Sequence, residues 1–295
     1  MKYLLTLAIA ATLFSCKQKV EETKAPESTV TADTLAVPTL TQRWATDTIL
    51  KTPESVVFDE KYGVFYVACI GGVPPDAKDK DGYIAKLNQK GEIIKKDWVT
   101  GLSGPKGMAV KGDSLYVTDI DALVLIHTPS GKIIQRIPVK GAKFLNDVAI
   151  DEMGLVYFSD SYANNLHSWD GKKVATIATG ESLGGPNGIY NEKDRLVLAS
   201  FGKGNVYTFN KATAAIETKV DTLPGGDGVE AFRDGYLISN WNGEVYYINK
   251  DWKKQLLLDT KADKRNAADI EFVPTQNLLL VPEFFGNKVT AYDVK

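Results

Sequence analysis

Cysteine and histidine are nearly missing from this 295-residue chain, which holds two of each: Cys16, Cys69, His127 and His167. A Cys/His zinc site therefore has almost no ligands to draw on. An excess of charge is missing too, since 35 basic and 37 acidic side chains leave a net charge of −2. No basic face is implied, which excludes nucleic acid as an expected partner. Nor is there an apolar run of membrane-spanning length at the start: Tyr3 to Phe14 holds twelve apolar-leaning residues, against the roughly 20 a helix needs to cross a bilayer.

That short run has another use. Lys2 precedes it and Ser15-Cys16 follows; a charged start, a short apolar core and a small residue before the cut describe a secretory signal. Leu13-Phe14-Ser15-Cys16 resembles a bacterial lipoprotein cleavage box, although Phe14 is bulkier than that box usually carries. The resemblance implies that residues 1–15 are removed and that Cys16 is lipidated. The protein would then sit in the bacterial cell envelope, held to the membrane through its lipid alone. Residues 16–41 are rich in Lys, Glu, Thr, Ser, Pro and Ala; such a stretch buries too little apolar surface to offset its ordering entropy and is expected to be a disordered tether. Cys69 is then the one thiol of the folded part, and Phe65-Tyr66-Val67-Ala68-Cys69 places it in a core strand as an inert buried residue.

From residue 42 to residue 295 the text repeats. Gly185-Pro186-Asn187-Gly188-Ile189 leads into Leu196-Val197-Leu198-Ala199-Ser200 and then Val206-Tyr207-Thr208-Phe209. The leading polar position recurs as Glu54, Lys106, Asn146, Asn187, Asp227 and, less well, Ala268, so successive units are 52, 40, 41, 40 and 41 residues apart. The long gap holds a Gly/Pro/Asp-rich insert, Gly71 to Gly82. Six units of about four short strands each predict an all-β, six-bladed β-propeller. The last unit has three strands, Asp269 to Val273, Asn277 to Val281 and Lys288 to Val294. Arg43 to Leu50 is spare at the other end and is expected to complete that blade and close the ring. A monomer is expected.

In a propeller the turns before the innermost strands open at one end of the central channel. Glu54, Lys106, Asn146, Asn187, Asp227 and Ala268 should therefore converge there. Two carboxylates and two amides offer hard oxygen donors, which suit calcium first and magnesium second.

On these residues the chain resembles the senescence marker protein/gluconolactonase/luciferin-regenerating enzyme family of six-bladed propellers. The resemblance implies that Glu54, Asn187 of Asn187-Gly188 and Asp227 of Asp227-Gly228 bind a divalent cation. Asn146 of Asn146-Asp147, with Asp151 to Gly154 after it, lies near the metal in the same scheme, and Asp227 is also the general base. The implied activity is hydrolysis of a lactone or related ester, with a small-molecule substrate at the channel mouth. The chain departs from the family pattern in two places. Ser55-Val56-Val57-Phe58 follows Glu54 where a Gly-Pro-aromatic phrase is usual, and Phe144 stands where the family carries a substrate-contacting Arg.

Lys106 belongs to the same ring, and three readings are open. Its ammonium replaces the cation, orients an anionic substrate beside it, or snorkels to solvent. Lys106 and Phe144 are thus the candidate substrate-binding pair. Asp119, Asp160, Asn240 and Glu283 each follow a second strand and are expected to bond the next turn. Trp241 and Phe284-Phe285 are candidates to line one face, but aromatics in propellers mostly pack between blades, and no role at the site is assigned to them. Leu115-Tyr116-Val117-Thr118-Asp119 and Val156-Tyr157-Phe158-Ser159-Asp160 also resemble NHL and YWTD propellers, many of which only bind partners. A non-catalytic binding propeller is therefore the alternative, and a lapsed enzyme is a third.

Overall fold

Each repeat of the sequence becomes one antiparallel sheet of four strands in the computed structural model, which describes residue 1 and residues 37–295. The signal, most of the tether and Cys16 lie outside the described residues. Residues 38–295 form one unit, to which the following applies. Blades 1 to 5 span residues 53–102, 105–138, 145–179, 186–220 and 226–259, and their strands are ordered as in the chain. The innermost strands, such as Pro53–Asp59, are buried on both faces, whereas outermost strands such as Lys132–Pro138 and Ile216–Val220 are exposed or half-buried along most of their length. The cores lie between blades. Val57, Tyr66, Ile84 and Leu102 of blade 1, for example, pack with Met108, Leu115, Val117 and Val124 of blade 2. This is a six-bladed β-propeller.

Blade 6 comprises Glu271–Val273, Leu278–Glu283 and Lys288–Val294, and Leu40–Ala45 pairs with the last of these as the fourth strand. The ring therefore closes through the N-terminal strand, but the strand is shifted from the expected Arg43 to Leu50. Pairing runs from Leu40 opposite Val294 to Ala45 opposite Thr290. Residues 46–50 leave the sheet because they must cross to blade 1, and Leu50 is buried on the way in. Two anchors hold the strand. Arg43 forms an ion pair with Asp293, and the Trp44 ring packs on Phe65 at 6.1 Å, over Gly91, where a Cβ would come within 2.3 Å of the indole.

Truncation reports on this closure. A chain begun at residue 39 keeps every strand pair and should melt with the intact protein. One begun at residue 46 loses the strand and Trp44. Removing a packed Trp alone costs about 3 kcal/mol or more, which at about 2–4 °C per kcal/mol for a domain of this size predicts a fall of about 10 °C in calorimetric Tm. Equal melting of the two would disprove closure through this strand.

Candidate functional site

The residues of the ring share a structural position, namely the second residue of the innermost strand. Glu54 is second in Pro53–Asp59, Lys106 in Pro105–Lys111, Asn146 in Leu145–Ile150, Asn187 in Pro186–Asn191 and Asp227 in Gly226–Phe232. In all five strands the register slips at that point. Pro186 faces Ser200 and Ile189 faces Leu198, so Asn187 and Gly188 together oppose one residue, and blades 2, 3 and 5 repeat this. In blade 1 a single extra residue, Glu54, is accommodated. A bulge of this kind re-aims a side chain out of the pleat, here into the channel mouth. The polar positions are bulged strand residues, not the turns that precede the strands.

The glycines beside them have a different task from the one a turn would set. Gly107, Gly188 and Gly228 do not adopt the left-handed conformation; they let the next blade approach. A Cβ on Gly188 would stand 1.8 Å from the Asp227 carbonyl oxygen, and one on Gly228 2.4 Å from the Ile270 nitrogen. Hydroxyls opposite the bulges make further clips. Ser159 donates to the Asn187 carbonyl (2.8 Å), Ser239 to that of Ala268 (2.7 Å), and Thr118 to that of Asn146. Asn146, Asn187 and Ala268 are thus each held by the blade before them. Gly188→Ala should therefore displace Asp227. Overpacking of this kind costs about 1–3 kcal/mol, a drop of about 2–12 °C in Tm at the scale above; an unchanged Tm would contradict the close approach.

The mouth is a cavity of about 280 Å³. Glu54, Lys106, Asn146, Asn187 and Asp227 all line it, as does Phe144; Ala268 is fully buried and does not. The structure brings the other expected site residues together. It also corrects one expectation: Trp241, Phe284 and Phe285 line the cavity as well, with Ile70, Ser161, Tyr162 and Phe201. A signal for them existed in the repeat. Ile70, Ser161, Phe201, Trp241 and Phe284 each directly follow the second strand of their blade. The blade 1 insert supplies Val73 and Pro75 to the wall. Asp119 and Asp160 shape the loops below: Asp119 accepts from the Ser103 and Gly104 nitrogens, and Asp160 from those of Lys143 and Phe144.

Lys106 is 1% exposed, so it does not snorkel. Its ammonium donates to the Gly104 carbonyl (2.8 Å) and the Pro75 carbonyl (3.2 Å) and lies 4.1 Å from the centre of the Phe144 ring. Among the described residues it forms no ion pair within 4.0 Å with Glu54 or Asp227. It is therefore beside the carboxylates and not clamped between them. Burial pulls its pKa down to about 8, against the opposing pull of Glu54.

The carboxylates form a column that continues down the channel. Burial, then the charge of Asp269, raises Glu54 to about 8, with Lys106 opposing. Burial and the neighbouring Glu54, Asp269 and Asp147 raise Asp227 well above the usual carboxylate range. Deeper, burial is the main cause that raises Asp269 to about 7 and Glu271 to about 8, and it likewise raises Asp147 and Glu230. Asp147 accepts from the nitrogens of Val148 and Ile189, both at 2.6 Å, and so ties blade 3 to blade 4.

Three oxygens at the mouth are buried without a hydrogen-bond partner: Glu54 Oε2, Asn187 Oδ1 and Asp227 Oδ1. The Asn146 amide nitrogen donates to Ser161 Oγ (3.1 Å), which leaves its carbonyl oxygen as the remaining donor to a cation. Among the described residues no three His, Cys, Asp or Glu side chains converge closely enough to hold an ion by themselves. A resident cation would rest on two carboxylates and the amide oxygens, a set of hard donors that fits calcium or magnesium. Unpartnered buried oxygens from three blades support that fit, since such atoms are rare in folded proteins.

No protein-family model matches the chain, and no curated protein does. Solved structures do match. A streptogramin B lyase superposes with a TM-score of 0.63 at 13% identity, over 88% of this chain and 98% of that one. A virginiamycin B lyase from Staphylococcus aureus with quinupristin, described as catalytically inactive with a histidine replaced by alanine, gives 0.62 at 13% over 87% and 99%. A nidogen/laminin complex gives 0.58 at 19% over 70% and 80%. The likeness is one of fold. This chain has the β-propeller fold. Neither of its histidines lines the mouth.

Proposed function

We propose that this protein hydrolyses a small ester or lactone at the channel mouth with the help of a divalent cation, calcium before magnesium. The observation that carries this reading is the set of three buried, unpartnered oxygens, Glu54 Oε2, Asn187 Oδ1 and Asp227 Oδ1, in one cavity. Leaving such atoms unpaired is costly, and a cation would pair all three. A bound cation would polarise the substrate carbonyl. Glu54, Asn187, Asp227 and Asn146 would hold it. Asp227, whose raised pKa brings it towards the range of an effective base, takes a proton from water as the water oxygen adds to the carbonyl carbon. The C–O bond to the leaving alkoxide then breaks, and the proton passes to that oxygen, giving an acid and an alcohol. Lys106 and Phe144 form one side of the cavity, with the ammonium placed to meet an anionic oxygen of the substrate. The reading agrees with the resemblance to the gluconolactonase-like family.

A second reading is a binding propeller, favoured by the exposed apolar rim of Val73, Tyr162, Phe201 and Phe285; the nidogen/laminin match is to a propeller solved in a complex. Ester hydrolysis by purified protein, with and without chelator, separates the two. Lys106→Met should keep the calcium-dependent rise in Tm and lose about tenfold or more in turnover, the scale of a missing charged hydrogen bond. A variant that instead binds calcium far more tightly would show that Lys106 replaces the cation. Absence of hydrolysis and of any calcium response in both proteins would favour the binding module. We further propose lipid anchoring in the envelope through Cys16; release of Cys16→Ser from membranes with loss of lipid labelling tests it.

A further inference from the structure

Polar and apolar groups are segregated within the mouth. Glu54, Lys106, Asn146, Asn187 and Asp227 form a floor, and the walls above it are aromatic. On one side Phe144 stacks on Tyr162, with ring centres 4.2 Å apart and planes 15° from parallel. On another, Trp241, Phe284 and Phe285 meet edge to face, at 5.7, 5.6 and 5.0 Å. Ser161, the one hydroxyl near the floor, is already engaged: it donates to the Pro186 carbonyl (2.7 Å) and accepts from Asn146. At the rim Tyr162 and Phe285 are 57% and 56% exposed, a degree of aromatic exposure that marks a ligand-binding edge when it rings a cavity.

We infer that the mouth selects an ester or lactone with a compact aryl body, and that it rejects polyhydroxylated sugar-acid lactones. This rests on the hydrolase reading above for the reaction, but the pocket argument stands on the walls. An aromatic ring slotted between the Phe144/Tyr162 pair and the Trp241/Phe284/Phe285 cluster meets faces and edges in the arrangements that aromatic groups prefer. The ester carbonyl then reaches down to the floor. A sugar lactone would press hydroxyls against Phe144, Phe284 and Phe285, whose rings carry no polar atom, and an unpaired buried hydroxyl is penalised. Phe144 adds to the discrimination, because its ring face is turned to the Lys106 ammonium and offers a substrate hydroxyl neither donor nor acceptor. Size sets a bound as well. At about 280 Å³ the cavity falls just below those that take drug-sized ligands, which leaves room for one ring and a short acyl group.

The test uses the full-length protein with three probes: benzyl acetate, glucono-δ-lactone, and 4-phenyl-2-butanone. The ketone keeps the outline of benzyl acetate with a methylene in place of the ester oxygen, so it binds without being hydrolysed. Binding is read from the fluorescence of Trp241, with Trp241→Phe as the control for the other tryptophans. The ketone should bind and glucono-δ-lactone should not displace it. Benzyl acetate should exceed glucono-δ-lactone in kcat/KM by about 100-fold, the scale set by hydroxyls left without partners. Phe285→Ala should raise the KM for benzyl acetate about tenfold with little change in kcat, as expected when uniform binding is lost; Tyr162→Ala, at an equally exposed position, should do likewise. Preferential binding or turnover of glucono-δ-lactone, or ketone binding that ignores both rim substitutions, would overturn the inference. Ketone binding that depends on the rim in a protein that hydrolyses neither ester would uphold the ligand class and remove the hydrolase reading. Hydrolysis of glucono-δ-lactone with no ketone binding would do the reverse.

Discussion

Asp227→Asn should lower kcat for a small ester by about 10²–10⁴-fold, the usual contribution of a positioned general base, and should not weaken the fold. The two expectations belong together. The amide has nearly the shape of the carboxylate, so the packing of Gly188 against the Asp227 carbonyl is untouched. What disappears is a buried carboxyl whose charged form is opposed by burial and by Glu54, Asp269 and Asp147. Without a cation the variant should melt at or above the temperature of the wild type, the pattern expected when a site is tuned for activity at the expense of stability. A purely structural Asp227 would give the opposite pair of results, a lower Tm and unaltered hydrolysis. The pH profile adds a second readout. Wild-type kcat/KM should fall as pH is lowered, because a proton on Asp227, which burial and like charges favour in the cation-free site, removes both the base and a cation ligand; that limb should be missing from the residual activity of Asp227→Asn.

The period of the repeat was enough to locate the ring. A spacing near 40 residues fixes one polar position per blade, and the propeller brings those positions together however short each motif is. Chemistry read from dipeptides was less secure. Asn187-Gly188 and Asp227-Gly228 look like turn formers, yet both lie inside strands. Their glycines serve inter-blade contact, which depends on a neighbour some 40 residues away and has no local signature. The same holds for the closing strand. Thr46 to Leu50 is β-prone text, but it has to bridge two blades, and the hydrogen bonds from Thr46 and Leu50 nitrogens go to Val289 and Asn287 in the course of a turn out of the sheet.

The aromatic walls were hidden for another reason. Residues directly after a second strand can pack between blades or cap the mouth, and Ile120, at the same phase, does not line the cavity. Phase alone could not separate Trp241 and Phe284 from it. The lower carboxylates were hidden because the innermost strands are buried along most of their length, with Glu230 and Glu271 half-buried, which erases the alternation that would show which side chains point to the axis. Asp147, Glu230, Asp269 and Glu271 emerge only once the channel exists.

That column should make calcium and pH act on the same equilibrium. The folded-state pKa values of Glu54, Asp269 and Glu271 are raised to about 8, 7 and 8 from ordinary values of 4.5, 3.8 and 4.5. Between those limits the native protein keeps protons that the unfolded chain has released, so stability falls as pH rises. The slope is about 1.4 kcal/mol per pH unit for each extra proton held. Below the unfolded values both states are protonated and the dependence vanishes. Lys106 acts in the other direction at higher pH. Its folded value, lowered from 10.5 to about 8, means that from there upwards Lys106 holds its proton less well than in the unfolded chain, which opposes the fall. Metal-free protein should therefore melt lower at pH 8 than at pH 5. Calcium at about 100 times its Kd adds about 2.7 kcal/mol, or about 5–10 °C for a domain of this size. At pH 5 protons compete for the same carboxylates and the gain should shrink towards zero. Glu54→Gln should flatten part of the pH slope and remove most of the calcium response, because it deletes one ligand and one of the repelling charges together. Calorimetry at pH 5 and pH 8, with calcium or with chelator, reads all four corners. A calcium shift of equal size at both pH values would place the ion away from these carboxylates, and none at either would leave the column to protons alone.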